Sequence, residues 1–180
     1  YKAGDDNMKT SDLIHERSIA LADCNNFFVS CERRVDNDLD SRPVVVLSSN
    51  DGCVISRSNE VKKMGVKMGD PYFKIRNMLA FNGVAIRSTN MSLYQEISAE
   101  IMSRIKLYTD AVEIYSIDES FFNMGISNVK DPLSYCRMIK KDIWDKCRIP
   151  VSIGIAPTKT LSKLATEYAK KNDETGGGFW

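Results

Sequence analysis

Short apolar runs separated by polar turns divide the chain, from residue 18 onward, into segments of strand and helix. In the first run, 18–23, Ile19 and Leu21 share one face of a predicted strand. The sequence Asn-Asp-Gly at 50–52 is a strong turn signal between two further apolar runs, which predicts a hairpin. Beyond the first strand, the predicted strands are 43–47, 53–55, 113–117, 120–124 and 151–155.

Helices are indicated where apolar residues recur every three or four positions. The first is a short helix capped by Ser56 or Ser58 and ended by Gly65. The other predicted helices are 70–78, with Asp70 as cap and Pro71 as first position, 90–108, 131–147, begun by Asp131 and Pro132, and one that follows the cap Thr158. The inward side of the last helix is expected to hold Leu161, Leu164, Ala165 and Tyr168.

The order of these elements indicates the topology. With the insert 25–84 set aside, they follow as β-α-β-β-α-β with a final helix, which is the ferredoxin-like α+β arrangement. The first and third strands pair at the centre of such a sheet. We therefore expect the end of the first strand to meet the 113–124 hairpin, which brings Asp23 close to Asp118 and Glu119.

These three carboxylates would repel one another at one point unless protons or a cation neutralised them. Hard oxygen ligands suit Mg²⁺ or Mn²⁺, and two such ions about 3.5–4 Å apart can drive phosphoryl transfer. Two simpler alternatives stay open at this stage. Asp23 could be a turn residue that bonds its own backbone, and Asp118 and Glu119 could be merely solvated.

Composition restricts the chemistry further. The 25 Lys and Arg residues against 24 acids give a net charge of +1, which lends no support to nucleic-acid binding. A single histidine, His15, disfavours His-based triads and His-ligated zinc. Five cysteines without a C-x-x-C pair indicate reduced thiols in a cytosol, and no apolar run approaches the roughly 18 residues that cross a membrane.

Five segments, in order and in register, carry a resemblance to a known family. They include Ala-Asp-Cys-Asn-Asn-Phe-Phe at 22–28 and Tyr-Ser-Ile-Asp-Glu-Ser at 115–120. Over about 19–177 the chain resembles the Y-family translesion DNA polymerases, and among them the bacterial UmuC branch. The other matching segments are 49–60, 65–71 and 154–163.

The resemblance implies a DNA-directed DNA polymerase whose two Mg²⁺ ions, replaceable by Mn²⁺, are held by Asp23, Asp118 and Glu119. It places Cys24 where a backbone carbonyl completes the coordination. It implies a palm over 18–24 and 85–171 and fingers over 25–84. Residues 1–17 would be a flexible extension, and 172–180 a linker toward a thumb and a little finger.

The resemblance also implies nucleotide contacts. Phe28 falls at the steric gate, where a ring clashes with a 2′-hydroxyl, although an ordinary core ring is the simpler alternative. Lys163 matches a lysine that contacts the triphosphate, and an exposed helix lysine is its alternative. The remaining nucleotide-binding candidates are Phe27, Arg57, Asn59 and Lys62.

Two departures from the family pattern bear on this site. Many relatives carry a Tyr and an Arg, three residues apart, where this chain has Asn59 and Lys62. Asparagine offers only amide bonds, and lysine offers a point charge where arginine offers a planar fork. We therefore expect weaker or differently shaped nucleotide binding, with Arg57 as a substitute.

By resemblance, the partners are primer–template DNA and dNTP, with a UmuD-like subunit, RecA and a sliding clamp for the whole protein, in the bacterial cytoplasm at the nucleoid. The resemblance implies a catalytic-core fragment, since family members continue into a thumb and a little finger. With its near-neutral charge, we expect this fragment to be a monomer that binds DNA poorly and is weakly active or inactive. Two other functions stay open: a non-catalytic scaffold in DNA damage, and a nucleotide cyclase. The cyclase would be expected to show glycines in the hairpin, where 116–119 has none.

Overall fold

A computed structural model describes residues 18–123, 131–172 and 178–179. The predicted extension, with His15, lies outside these residues, as do Met124 and most of the predicted linker. The strands are β1 (Ile19–Cys24), β2 (Val44–Leu47), β3 (Val54–Arg57), β4 (Ala85–Ser88), β5 (Val112–Ile114), β6 (Glu119–Asn123), β7 (Val151–Ala156) and β8 (Gly178–Phe179). The α-helices are α1 (Phe27–Val35), α2 (Asn59–Lys63), α3 (Tyr72–Phe81), α4 (Met91–Ile105), α5 (Pro132–Cys147) and α6 (Lys159–Lys171).

A five-stranded sheet in the order β5-β6-β1-β7-β8 carries the acidic residues. The elements β1-α4-β5-β6-α5-β7 give the predicted ferredoxin-like order, with the first and third strands paired at its centre. The antiparallel register of β1 and β6 runs from Ile19 opposite Asn123 to Asp23 opposite Glu119. The α+β, ferredoxin-like prediction is confirmed. Within the predicted linker, β8 pairs in parallel with β7.

Helix α6 lies against β7 through small residues, and the predicted inward face is wrong except at Ala165. The buried residues of α6 are Ser162, Ala165, Thr166 and Ala169. A Cβ added to Gly154 of β7 would stand 2.2 Å from the backbone nitrogen of Thr166. Because the two backbones approach this closely, large side chains point away from the sheet. The exposed ones are Leu161, Leu164 and Tyr168.

Local capping agrees with the sequence at both long C-terminal helices. The Thr158 hydroxyl accepts a hydrogen bond from the backbone N–H of Leu161 at 3.3 Å, as an N-cap does. The Asp131 carboxylate accepts from the backbone N–H groups of Leu133 and Ser134, at 3.1 and 3.2 Å. The predicted starts of α5 and α6 are therefore confirmed.

A second, three-stranded sheet, β3-β2-β4, forms the centre of the inserted segment. Strands β2 and β3 are the predicted antiparallel hairpin, and β4 adds in parallel to β2. Helix α2 begins after Ser58, which is one of the two predicted caps. Gly65 follows the end of this helix with a φ of +86°. The core of this segment comprises Val45, Leu47, Val54, Val61, Val66, Leu79 and Val84.

Helix α3 begins one residue later than predicted. Its N-cap is Pro71, and the first helical residue is Tyr72. The Asp70 carboxylate accepts instead from the backbone N–H of Lys67 at 2.7 Å, which closes the preceding turn. Asp70 is therefore not the cap of this helix.

The described residues fall into two compact units. One comprises 18–23, 102–123, 131–142, 151–172 and 178–179, and the other comprises 24–101 and 143–150. The boundaries of the predicted palm and fingers stay a prediction. None of the helices in the described ranges has the length and apolar character needed to span a membrane.

Candidate active site

Asp23 and Glu119 face each other across the centre of the five-stranded sheet. They are register partners in the antiparallel pair of β1 and β6. Directly opposed residues project from the same face of such a pair, with Cβ atoms about 4.5–5.5 Å apart. Sheet topology therefore joins two acids that are far apart in the sequence, and Asp118 immediately precedes Glu119.

A tight turn built on Ser116 presents Asp118 and Glu119. The Ser116 hydroxyl donates to a carboxylate oxygen of Asp118 at 2.6 Å and accepts from the backbone N–H of Glu119 at 3.1 Å. The carbonyl of Glu119 accepts from the backbone N–H groups of Tyr115 and Ser116. Short serine-to-backbone bonds of this kind favour turns over continued strand. The two acids consequently sit where β6 begins.

Asp23 is buried and is paired with a cation from α6. Its side chain lies 2.8 Å from the ammonium nitrogen of Lys170, which also contacts Glu167 at 2.9 Å. Burial raises the pKa of the Asp23 carboxyl from 3.8 to about 6. Lys170 opposes this rise through its hydrogen bond and charge, whereas the charges of Glu119 and Asp118 add to it. The three acids therefore act on one another electrostatically.

Lys163 lies about two helical turns before Lys170 on the same helix, beside the turn that carries Asp118 and Glu119. Its ammonium nitrogen is 3.7 Å from a carboxylate oxygen of Glu119 and 3.9 Å from the centre of the Tyr115 ring. An ammonium group over an aromatic face is attracted by the ring quadrupole. Lys163 is thus held beside the acids and is not a helix lysine directed only at solvent.

The arrangement of the acids bears on metal binding. Within the described ranges, no three or more His, Cys, Asp or Glu side chains are grouped so as to hold a metal ion. Each acid has a protein partner instead: Lys170 for Asp23, Ser116 for Asp118, and Lys163 for Glu119. The donor set nevertheless fits Mg²⁺ or Mn²⁺, since all three groups are carboxylates: Asp23 and Glu119 are opposite each other in the sheet, and Asp118 is next to Glu119 in the sequence.

Lys170 belongs to this group of residues and was missed by sequence reasoning. A usable signal was present, because Lys163 and Lys170 are seven residues apart. Seven residues are close to two helical turns, so both side chains lie on one face of α6. Only the pairing of this face with the acids, visible in the structure, distinguishes Lys170 from the neighbouring Lys171.

The two candidate phenylalanines occupy the start of α1 in the second unit. Phe27 is buried, and Phe28 is half-buried. The Phe28 ring stacks on the ring of Tyr94, with centroids 4.6 Å apart and planes inclined by 21°. Cys24, which follows Asp23, is itself buried, so its thiol is not directed at solvent.

The remaining nucleotide-binding candidates lie around the start of α2. Asn59 is the exposed first residue of that helix, and its side-chain oxygen accepts from the Asn26 amide at 3.0 Å. Lys62 is exposed on the same helix. Arg57 ends β3, and its Nε is buried without a hydrogen-bond partner among the described residues. Their roles in nucleotide binding stay predictions.

Comparison with known proteins identifies the family of this chain. The impB/mucB/samB family matches residues 22–167. The chain is 44% identical to the protein UmuC of Salmonella typhimurium over 153 residues, which is 84% of this chain and 36% of that protein. It is 40% identical to the protein ImpB of Salmonella typhimurium over 159 residues, 88% of this chain and 38% of that protein. The chain thus spans less than two fifths of the length of these relatives.

The fold is also found in a solved polymerase. An insertion ternary complex of Dbh DNA polymerase matches with a TM-score of 0.81 and 26% identity, over 91% of this chain and 48% of that one. The resemblance seen in the sequence is confirmed by both kinds of likeness. The chain therefore belongs to the impB/mucB/samB family and, within the Y-family DNA polymerases, to the branch that includes UmuC.

Proposed function

We propose that this chain supplies the nucleotidyl-transfer site of a template-directed DNA polymerase that acts in translesion synthesis. The observation that carries the proposal is the register of β1 and β6, which sets Asp23 opposite Glu119. Asp118 immediately precedes Glu119 in the chain. Lys170 of α6 contacts Asp23, and Lys163 of the same helix contacts Glu119. The likeness to UmuC and to a polymerase in an insertion ternary complex supports the same function.

Divalent cations are part of this proposal. The carboxylates of Asp23, Asp118 and Glu119 would hold two Mg²⁺ ions, or Mn²⁺ in their place, with the Cys24 carbonyl as a further ligand. Such ions activate the attacking 3′-hydroxyl and neutralise the charge that develops on the leaving phosphate. Burial raises the pKa of Asp23, and the charges of Glu119 and Asp118 add to that rise; a cation at this point would neutralise the acids.

The lysines of α6 have a second task in the reaction. Lys170 neutralises Asp23, and Lys163 lies beside Glu119. With the carboxylates holding cations, both ammonium groups would be available to bind an incoming triphosphate. Lysine suits that task because its ammonium is a mobile point charge that binds phosphate oxygens without a fixed geometry.

Residues of the second unit would select and orient the nucleotide. Phe28 would exclude ribonucleotides by a clash of its ring with the 2′-hydroxyl. Arg57, Asn59 and Lys62 would contribute polar contacts to the triphosphate. We expect these contacts to be weaker than those of relatives with Tyr and Arg, for the geometric reasons given above.

The setting of the reaction follows from the family. The substrates would be primer–template DNA and dNTP, and the whole protein would work in the bacterial cytoplasm at the nucleoid during the response to DNA damage. A UmuD-like subunit, RecA and a sliding clamp would be its protein partners.

Primer extension by the full-length protein, with the Asp118→Asn variant, tests the proposal. This substitution keeps the volume of the side chain and removes one oxygen ligand, so we expect at least about a 1,000-fold loss of extension. The thermal unfolding midpoint should not fall, since one charge leaves a repulsive cluster. Asp110→Asn, at an exposed acid away from the turn, is the matched control and should extend normally. Near-normal extension by Asp118→Asn would refute the proposal.

A further inference from the structure

Tyr94 is held at both ends by residues of one face of α1. Its ring stacks on Phe28, with centroids 4.6 Å apart, and its hydroxyl donates to a carboxylate oxygen of Glu32 at 2.7 Å. Phe28 and Glu32 are four residues apart and therefore lie one above the other on the helix surface. A single tyrosine thus connects an aromatic and an acidic residue of the same helix face.

The acid at this contact is itself fixed. The second oxygen of Glu32 lies 3.9 Å from Nε of Arg87, and Nη2 of Arg87 lies 2.7 Å from a carboxylate oxygen of Asp36. Asp36 is a further four residues along the chain, at the C-cap of α1. Arg87 therefore bridges two acids and holds Glu32 in place beneath the phenol.

Burial makes it costly to break the hydrogen bond between Tyr94 and Glu32. Tyr94 is fully buried, and Glu32 is 8% exposed. Burial, with the Glu32 carboxylate as a second cause, raises the pKa of the Tyr94 hydroxyl, which keeps it protonated and donating. A buried donor or acceptor that loses its partner bears the full cost of desolvation, so this pair has one strongly preferred geometry.

A steric gate needs such a fixed support. Phe28 has no polar atom in its side chain, so packing alone sets the position of its ring, and its ring neighbours are Phe27 and Tyr94. A gate rejects a 2′-hydroxyl only if its ring cannot move out of the way of the clash. The discrimination therefore depends on the cost of displacing whatever lies behind the ring, as well as on the ring itself.

We propose that Glu32 is a positioning residue for sugar selection, which acts through Tyr94 to hold the Phe28 ring in place. The inference rests on the proposed function, in which Phe28 faces the incoming sugar. Glu32 itself contacts Tyr94 and Arg87 and is not a catalytic residue.

The test measures kcat/KM for dNTP relative to the matching rNTP in the full-length protein. Glu32→Ala and Tyr94→Phe both remove the hydrogen bond while leaving the Phe28 ring in the chain. Each should lower the ratio by about fivefold to tenfold, the factor expected for the loss of one buried hydrogen bond. Glu32→Gln keeps an oxygen that can accept from Tyr94 and should stay within about twofold of the wild type.

Two further variants separate positioning from general loosening. Leu79→Ala removes a fully buried side chain from the core of the same unit and should lower stability without changing the sugar ratio. In the double variant Phe28→Ala/Glu32→Ala, the second substitution should have no further effect, because Glu32 acts only through the ring. An equal fall of the ratio in Leu79→Ala would overturn the inference.

The outcomes also distinguish this inference from the proposed function. If Phe28→Ala lowers the ratio and Glu32→Ala and Tyr94→Phe do not, only the role of Glu32 is refuted. If Phe28→Ala leaves the ratio unchanged, the gate is refuted and the role of Glu32 with it. A wild-type protein that extends no primer would overturn both.

Discussion

The ammonium nitrogen of Lys170 lies 2.8 Å from a carboxylate oxygen of Asp23, so a helix cation neutralises the acid at the end of β1. Asp23 is almost fully buried, and a buried carboxylate without a partner is costly. The same carboxylate would hold Mg²⁺ in the proposed reaction. Lysine and metal are therefore expected to compete for Asp23.

This competition predicts opposite effects of Lys170→Met with and without metal. Without metal, the free energy of unfolding should fall by about 1–3 kcal/mol, because Asp23 loses its hydrogen-bonded partner. With Mg²⁺, the variant should gain more stability than the wild type, since no lysine has to be displaced. Thermal unfolding over a Mg²⁺ titration measures both effects.

Lys171→Met is the matched control for this prediction. Lys171 is the next residue on the helix and is exposed, so its loss should change neither stability nor the response to Mg²⁺. Identical Mg²⁺ responses in Lys170→Met and the wild type would show that lysine and metal do not share Asp23.

The close approach of β7 and α6 predicts a large effect of Gly154→Ala. The added Cβ would stand 2.2 Å from the Thr166 nitrogen, and backbone cannot move aside as a flexible side chain can. We expect a loss of roughly 3 kcal/mol or more in the free energy of unfolding, at the upper end for overpacking. Because α6 carries Lys163 and Lys170, extension activity in the full-length protein should fall as well.

Gly83→Ala gives the comparison for this substitution. Gly83 has open space around a Cβ but a φ of +64°, so only backbone strain acts there, at about 1 kcal/mol. Urea unfolding of both variants measures the difference. Similar losses at the two glycines would contradict the tight contact between β7 and α6.

The sequence could predict the features that depend on local side-chain chemistry or on the order of the elements along the chain. The cap at Thr158 follows from side-chain chemistry alone. The meeting of Asp23 and Glu119 follows from the order of elements, because the ferredoxin-like sheet pairs its first and third strands. Both conclusions need no knowledge of how closely the elements pack.

What the sequence could not predict depended on that packing. Hydrophobicity favours Leu161 and Leu164 as inward residues of α6, but the backbone contact at Gly154 admits only small side chains. Helix α1 was not predicted, because two of its five buried residues, Ser30 and Glu32, are polar and interrupt the apolar period. Lys170 was not predicted as a site residue because its partner, Asp23, is 147 positions away in the sequence.

Cys136 predicts a specific loss of stability at alkaline pH. It is fully buried on α5, and burial raises the pKa of its thiol from 9.0 to about 12. The folded chain then holds the proton more tightly than the unfolded chain. The contribution of this thiol to the free energy of unfolding is therefore present in full below pH 9.0 and is lost as the pH rises above it. From this group alone, the free energy of unfolding at about pH 10.5 should be about 2 kcal/mol below its value well under pH 9.

Chemical unfolding of Cys136→Ser at several pH values checks this sign. Serine does not titrate in this range, so the variant should lose the Cys136 component of the slope whatever its own stability. Cys53→Ser, at a half-exposed thiol, is the matched control for a cysteine-to-serine exchange. An unchanged alkaline slope in Cys136→Ser would contradict the assignment to this thiol.

The final prediction concerns how strongly the 180-residue chain binds DNA. Its net charge is only +1, and carboxylates already pair with many of its basic side chains. Among them, Arg33 pairs with Glu60, Arg34 with Glu100, Arg87 with Asp36, and Arg104 with Asp142. A chain without a basic excess displaces few of the counterions of a phosphate backbone, and this displacement supplies most non-specific affinity.

We therefore expect this chain to bind a labelled primer–template with a dissociation constant above about 1 µM at about 0.1 M salt. The plot of log affinity against log salt should have a slope no steeper than about −3, since few phosphates are neutralised. Fluorescence anisotropy over a salt series gives both quantities in one experiment. Submicromolar binding with a slope between about −5 and −9, typical of six to ten phosphate contacts, would contradict the argument from charge.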